Sequence, residues 1–172
     1  MYWKYANAVK ELLRNEGMIV LNRVRPDTRK RLDAVISECM PFIAPHTQYI
    51  KKSNPPVQRK LPKLLSIYPY YKTLQFSQPT ADGLCSYFFN DQLATVGIAM
   101  DVIKGDMNYF RLVMLHELAH LTHKDHGPDY VLHLNKMVYD YNKSTGRDLK
   151  NDLSYEGFYL DNTGHYLNRA DA

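Results

Sequence analysis

Apolar residues recur at helical spacing in four stretches of the chain. Trp3, Ala6, Val9 and Leu13 predict an amphipathic helix over residues 3–15, closed by Gly17. Leu32, Val35, Ile36 and Cys39 predict a second helix, Asp27–Met40, with Asp27 or Thr28 at its cap and Pro41 at its end. Between them, residues 18–24 fit a short strand and a helix equally well. The apolar run Phe110–Leu115 leads a third helix, residues 108–123. Tyr130, Leu134, Met137, Val138 and Tyr141 give the fourth, 129–143, with Asp129 at its cap and His133 expected on its exposed side.

A different pattern occupies residues 84–100. Cys85–Phe89 and Ala94–Met100 are dense in β-formers and flank Asn90-Asp91-Gln92, a turn signal, so they predict a hairpin. Residues 41–63 hold five prolines and five Lys/Arg and read as an extended, exposed connection. Residues 64–80 show no period. The expected fold class is α+β, helices around a short antiparallel sheet, in one domain spanning 1–172. Within it, 1–63 is a basic helical part with the Pro-rich connection, 64–143 the core, and 144–172 a polar, tyrosine-rich tail. A chain of 172 residues is long enough for one core of ordinary size.

Composition narrows the class. An apolar share of 45% with 23% charged residues is that of a globular chain. No run approaches the roughly eighteen apolar residues of a membrane span, and Met1–Tyr5 lacks a signal-peptide core. Two cysteines without secretory context read as thiols, and the expected setting is the cytoplasm. The net charge of +4 is uneven: residues 1–100 hold 14 Lys/Arg against 7 Asp/Glu, and residues 101–172 hold 8 against 11. Arg23, Arg25, Arg29, Lys30, Arg31, Lys51, Lys52, Arg59, Lys60 and Lys63 make the first half basic. That is the footprint of a nucleic-acid contact, and equally the solvated face of an ordinary helix.

The chemistry concentrates in His116-Glu117-Leu118-Ala119-His120, an H-E-x-x-H string. On a helix, His116 and His120 share a face about 6 Å apart along the axis, and Glu117 lies about 100° round from His116. Two imidazoles so placed can take two corners of a zinc tetrahedron, and a catalytic zinc takes a third protein ligand. His123 lies about 10 Å along the axis from His116 on that helix, too far to share the ion. His126 precedes Gly127-Pro128, a helix stop, and could be carried back to the metal. The metal set is therefore His116, His120 and His126, with Glu117 catalytic. Glu156, the one glutamate after Glu117, is the alternative third ligand. His46 reads as a surface residue.

His116–His120 followed by His126-Gly127-Pro128-Asp129-Tyr130 resembles the SprT-like, or WLM-type, zinc metallopeptidases, which include the Spartan-type proteases of DNA–protein crosslinks. Gly83-Leu84-Cys85-Ser86-Tyr87 is similar to the strand that precedes the zinc helix in that family. The resemblance covers about residues 60–140. It implies a zincin-like domain with Zn2+, a protein or peptide substrate, contact with nucleic acid, Tyr130 packed behind the metal, and a sheet edge within 85–100 that takes the substrate as an added strand. With only Cys39 and Cys85, residues 1–172 are not expected to form the C-terminal zinc ribbon that the family often carries. The metzincin spacing is shared, but His123 stands at its glycine and Met137 falls inside a helix. Lys124-Asp125-His126 also echoes the YbeY-type RNA-processing proteins, which lack a glutamate after the first histidine.

The expected reaction is metal-assisted hydrolysis of peptide bonds, with Glu117 as general base and then acid. Asp101, Asp125 and Asp129 are candidates to orient the ligand imidazoles. Tyr155, Tyr159, His165 and Tyr166 are candidates to stabilise an oxyanion. Two other readings stay open: a zinc-dependent RNA-processing enzyme, and a non-catalytic zinc domain that binds a partner through its basic half.

Overall fold

The computed structural model describes residues 24–43, 61–75, 78–79, 81–150 and the strand segments 154–155, 158–160 and 166–168. The expected helix 3–15, the segment 18–23 and most of the connection 41–63 lie outside them. The architecture is mixed α/β. The chain divides into two compact units, Met1–Ile36 with Pro62–Glu117, and Ser37–Leu61 with Leu118–Ala172.

The first unit is built on a three-stranded sheet of β1 (Leu64–Tyr70), β4 (Gly83–Phe88) and β5 (Leu93–Ala99), in the order β1-β5-β4. Two short strands, β2 (Leu74–Gln75) and β3 (Gln78–Pro79), pair antiparallel beside it in sequence. The predicted hairpin is β4–β5, antiparallel, with Cys85 opposite Val96. Its turn places Phe89, Asn90 and Asp91 at positive φ, and Gln92 N–H donates to the Phe89 carbonyl at 3.1 Å. Asn and Asp tolerate the left-handed region that a tight hairpin demands.

The sheet is not the antiparallel one expected. β1 runs parallel to β5, with Ile67 opposite Val96 on its other side. β5 is buried at all seven positions and β1 at its last five, Ser66–Tyr70. A strand covered on both faces shows no alternation of apolar and polar residues, so residues 64–80 carried no visible period. Pro69 is tolerated because β1 is an edge strand of this sheet.

β5 leads directly into α2 (Met100–Lys104), and α3 (Met107–Ala119) follows. The second predicted helix is α1 (Pro26–Cys39), with Leu32, Val35, Ile36 and Cys39 buried. Pro26, rather than Asp27 or Thr28, opens it: a proline in the first turn sacrifices no hydrogen bond, and Asp27 then sits where the helix dipole favours a negative charge. Arg31 reaches from α1 to α2, donating from Nε to the Ile103 carbonyl and from Nη2 to the Gly105 carbonyl, each at 2.7 Å. These close the orphan carbonyls at the C-terminal end of α2. Arg29 pairs with Asp33 along the solvated face. Part of the basic cluster thus serves the fold.

In the second unit α4 (Pro128–Thr145) buries Tyr130, Leu134, Met137, Val138 and Tyr141, as its spacing predicts. Gly127 stands at its N-cap and Asp129 in its first turn, so Asp129 is not the cap residue. Gly146, at φ 72°, ends the helix by donating to the Asn142 carbonyl at 2.9 Å. Beyond it the Asn142 amide brackets Leu149, accepting from its N–H at 2.8 Å and donating to its carbonyl at 3.0 Å. Glu38 accepts from Tyr141 Oη and Arg147 Nε, and Phe42, in the 3-10 turn Met40–Phe42 after α1, packs edge-on against Tyr141 at 5.5 Å. Three short strands, β6 (Ser154–Tyr155), β7 (Phe158–Leu160) and β8 (Tyr166–Asn168), form a separate antiparallel sheet. Among the described residues no helix is long and apolar enough to cross a membrane.

Candidate metal centre

His116 and Glu117 lie in the last turn of α3, three and two residues before its end, and His120 stands one residue past it. The helix stops at Ala119 rather than running to residue 123. Leu121 and Thr122 donate to the carbonyls three residues back, at 3.1 and 3.4 Å, and Thr122 Oγ1 bonds the Ala119 carbonyl at 3.3 Å. That tighter turn ends the α-helix before Gly127-Pro128 is reached. His126 is thereby brought back, and one ring nitrogen from each of His116, His120 and His126 lies within 4.8 Å of the others. The three histidines stand on one continuous stretch, 116–126.

The rings fit a shared cation. His120 Nε2 and His126 Nε2 face one another at 3.0 Å; two nitrogens bound tetrahedrally at about 2.0–2.1 Å would stand about 3.3 Å apart. His120 Nδ1 meets the His123 backbone carbonyl at 2.8 Å. A carbonyl only accepts, so Nδ1 carries the proton and Nε2 presents its lone pair. This carbonyl is the group that holds the His120 ring. Burial is the first influence on the His120 pKa and lowers it, favouring the neutral form a metal needs. Tyr130 stacks on His120 with centroids 4.5 Å apart and meets His126 edge-on at 5.0 Å. His116 is half-buried, His120 buried and His126 exposed, so the three-histidine cluster opens to solvent on one side.

Within the first unit, Glu117 is 4% exposed, with Oε1 at 3.8 Å from His116 Nε2. Burial raises its carboxyl to about 8. It packs against β4 at Gly83, where a Cβ would stand 2.8 Å from Glu117 Cγ and 2.9 Å from Oε1. Gly83, Cys85 and Tyr87 share one face of that strand by the two-residue period. Burial, reinforced by the Glu117 charge, pushes the Cys85 thiol up to about 12. Burial likewise raises Tyr70, whose hydroxyl donates to the Ala81 carbonyl. Among the described residues, β4 is the edge strand of the hairpin, while β5, the strand leading to the helices, is the centre of the sheet.

His123 and His133 are both buried, at 2% and 3% exposure, with rings 4.7 Å apart. The expectation of an exposed His133 is overturned, because that position of α4 faces the 120–123 turn through Thr122 Oγ1, 3.2 Å from its Nε2. Periodicity alone gave no sign of this. Glu156, His46 and His165 lie outside the described residues, as do the side chains of Tyr155, Tyr159 and Tyr166. Comparison with protein-family models, with curated proteins and with solved structures finds no match to this chain.

Proposed function

We propose that the chain is a zinc-dependent endopeptidase of the zincin kind, with His116, His120 and His126 as the metal ligands. The observation that carries this reading is the convergence of three imidazole nitrogens within 4.8 Å beside a buried glutamate whose Oε1 is 3.8 Å from His116 Nε2. Imidazole sets suit several divalent metals; a carboxylate placed beside the ligands but outside the ligand set favours hydrolytic zinc.

When bound, the metal supplies Lewis-acid stabilisation of charge developing on the scissile carbonyl oxygen. Glu117 takes a proton from the attacking water and later delivers it to the leaving amine. Its burial against Gly83 holds the carboxylate in one place, which is what a positioned base requires. The β4 edge offers backbone N–H and C=O groups that can pair with an extended peptide, giving affinity that does not depend on side-chain sequence. The solvent-open side at His126 favours catalysis over a closed structural site. Glu117 itself favours a peptidase over an RNA-processing enzyme. The resemblance to SprT-like peptidases adds DNA-bound proteins as the substrate class.

The test is cleavage of an unfolded fluorescent protein by the zinc-loaded chain, with and without DNA. Wild type should cleave. Glu117→Gln should keep one zinc per chain and lose at least about a hundredfold in rate, the lower end of what a general base contributes. An active, zinc-loaded Glu117→Gln protein would remove Glu117 from the mechanism.

A further inference from the structure

We propose that Thr122 and His133 are positioning residues for the ligand His120, acting through the backbone of His123. This rests on reading the three histidines as a metal centre. His120 offers Nε2 when Nδ1 carries the proton, and the His123 carbonyl at 2.8 Å favours that tautomer by accepting from Nδ1. The carbonyl belongs to a turn beyond the end of α3, where no helical hydrogen bonding fixes its direction.

Side chains around Thr122 supply what the helix does not. Thr122 Oγ1 lies 3.3 Å from the Ala119 carbonyl, 3.0 Å from His123 Nδ1 and 3.2 Å from His133 Nε2. A hydroxyl donates one hydrogen bond and accepts two. The carbonyl can only accept, so Thr122 donates to Ala119, and both ring nitrogens donate to Thr122. His123 then carries a proton on Nδ1 and His133 on Nε2. The two rings pack at 4.7 Å with a 31° tilt.

The arrangement joins the second turn of α4 to the turn that carries the acceptor for His120. Without the hydroxyl, the His123 and His133 rings lose the hydrogen bonds that Thr122 accepts, and the tie between α4 and the turn that carries the His123 carbonyl is weakened. Outer partners of metal-bound histidines typically contribute about 10–100-fold to metal affinity, and Thr122 and His133 should contribute on that scale.

Two measurements test this. In the zinc-loaded wild type, long-range proton–nitrogen NMR of the imidazoles should show Nδ1–H for His120 and His123 and Nε2–H for His133. Zinc affinity, measured by competition with a chromophoric chelator, should fall about 10–100-fold in Thr122→Val and His133→Leu, and Thr122→Ser should restore it. The opposite tautomer at His123 or His133 would overturn the proposal with no variant needed. So would a Thr122→Val protein that melts lower without metal yet binds zinc like wild type, since the role would then be structural only. Absence of zinc binding by wild type, or binding undiminished in His116→Ala, would overturn the metal centre itself, and the proposal with it.

Discussion

Gly83→Ala probes the contact that holds Glu117. The added Cβ would stand 2.8 Å from Glu117 Cγ, 2.9 Å from Oε1 and 3.0 Å from Val113 Cγ1. Carbon atoms pack best at about 3.5–4.0 Å, so the closest contact is short by about 0.7–1.2 Å. Val113 blocks one flank, and the β4 backbone is paired to β5 on the other side of the strand. The displacement therefore falls mainly on the Glu117 side chain, which has little solvent to move into at 4% exposure. Overpacking of this kind costs about 1–3 kcal/mol of stability. A misplacement of about 1 Å in a catalytic group can cost about a hundredfold in rate, equal to about 2.7 kcal/mol of transition-state stabilisation. The assay is kcat/KM for the proposed peptide cleavage, alongside zinc stoichiometry and the urea midpoint. The expected variant is folded, zinc-loaded and slower by about two orders of magnitude. A Gly83→Ala protein that cleaves at the wild-type rate would show that Glu117 does not act from its place against β4.

Other perturbations address the fold and the metal. Arg31→Met removes both donors from the carbonyls of Ile103 and Gly105 and should cost about 2 kcal/mol, as charged hydrogen bonds do; an unchanged urea midpoint would refute the capping role. Zinc at a thousand times its Kd should stabilise the chain by about 4 kcal/mol, raising Tm in wild type and not in His126→Ala; equal shifts would exclude His126 as a ligand. The Lys72–Asp82–Asp101 cluster, with Tyr109 donating to Asp82, should respond at both pH extremes. Burial alone would raise the Asp82 pKa, but hydrogen bonds from Lys72 and Tyr109 outweigh it and lower it; Lys72 is raised by its bonds to Asp82 and Asp101. The Asp82 contribution is therefore present above about pH 3.9 and lost as pH falls, and that of Lys72 is present below about pH 10.4 and lost as pH rises. Lys72→Met should flatten both limbs of a stability–pH profile, and unchanged slopes would mean that the cluster does not stabilise the fold.

The legible parts of this protein are those set by spacing within one segment. His116 and His120 stand four residues apart on a helix whose preceding run is apolar, so their shared face follows from helical pitch alone. The buried sides of α1 and α4 follow from the same period, and the β4–β5 hairpin from β-forming runs around Asn90-Asp91-Gln92. His126 could be named as a candidate ligand because a helix stop follows it. Where the helix actually ends, at Ala119, depended on the Thr122 hydroxyl and on i→i+3 bonding that no periodicity reports.

What tertiary structure decided involves residues distant in sequence or buried on every side. β1 was hidden because it is buried on both faces, which erases alternation, and because a parallel partner lies across a crossover rather than a turn. Gly83 reads as an ordinary strand glycine until the fold sets it against Glu117, thirty-four residues on. His133 looked like any polar residue on a helix, since one imidazole scores the same whether solvent or Thr122 receives its N–H. Sequence period records which face a residue shares with its near neighbours; only the folded path of the chain determines what that face meets.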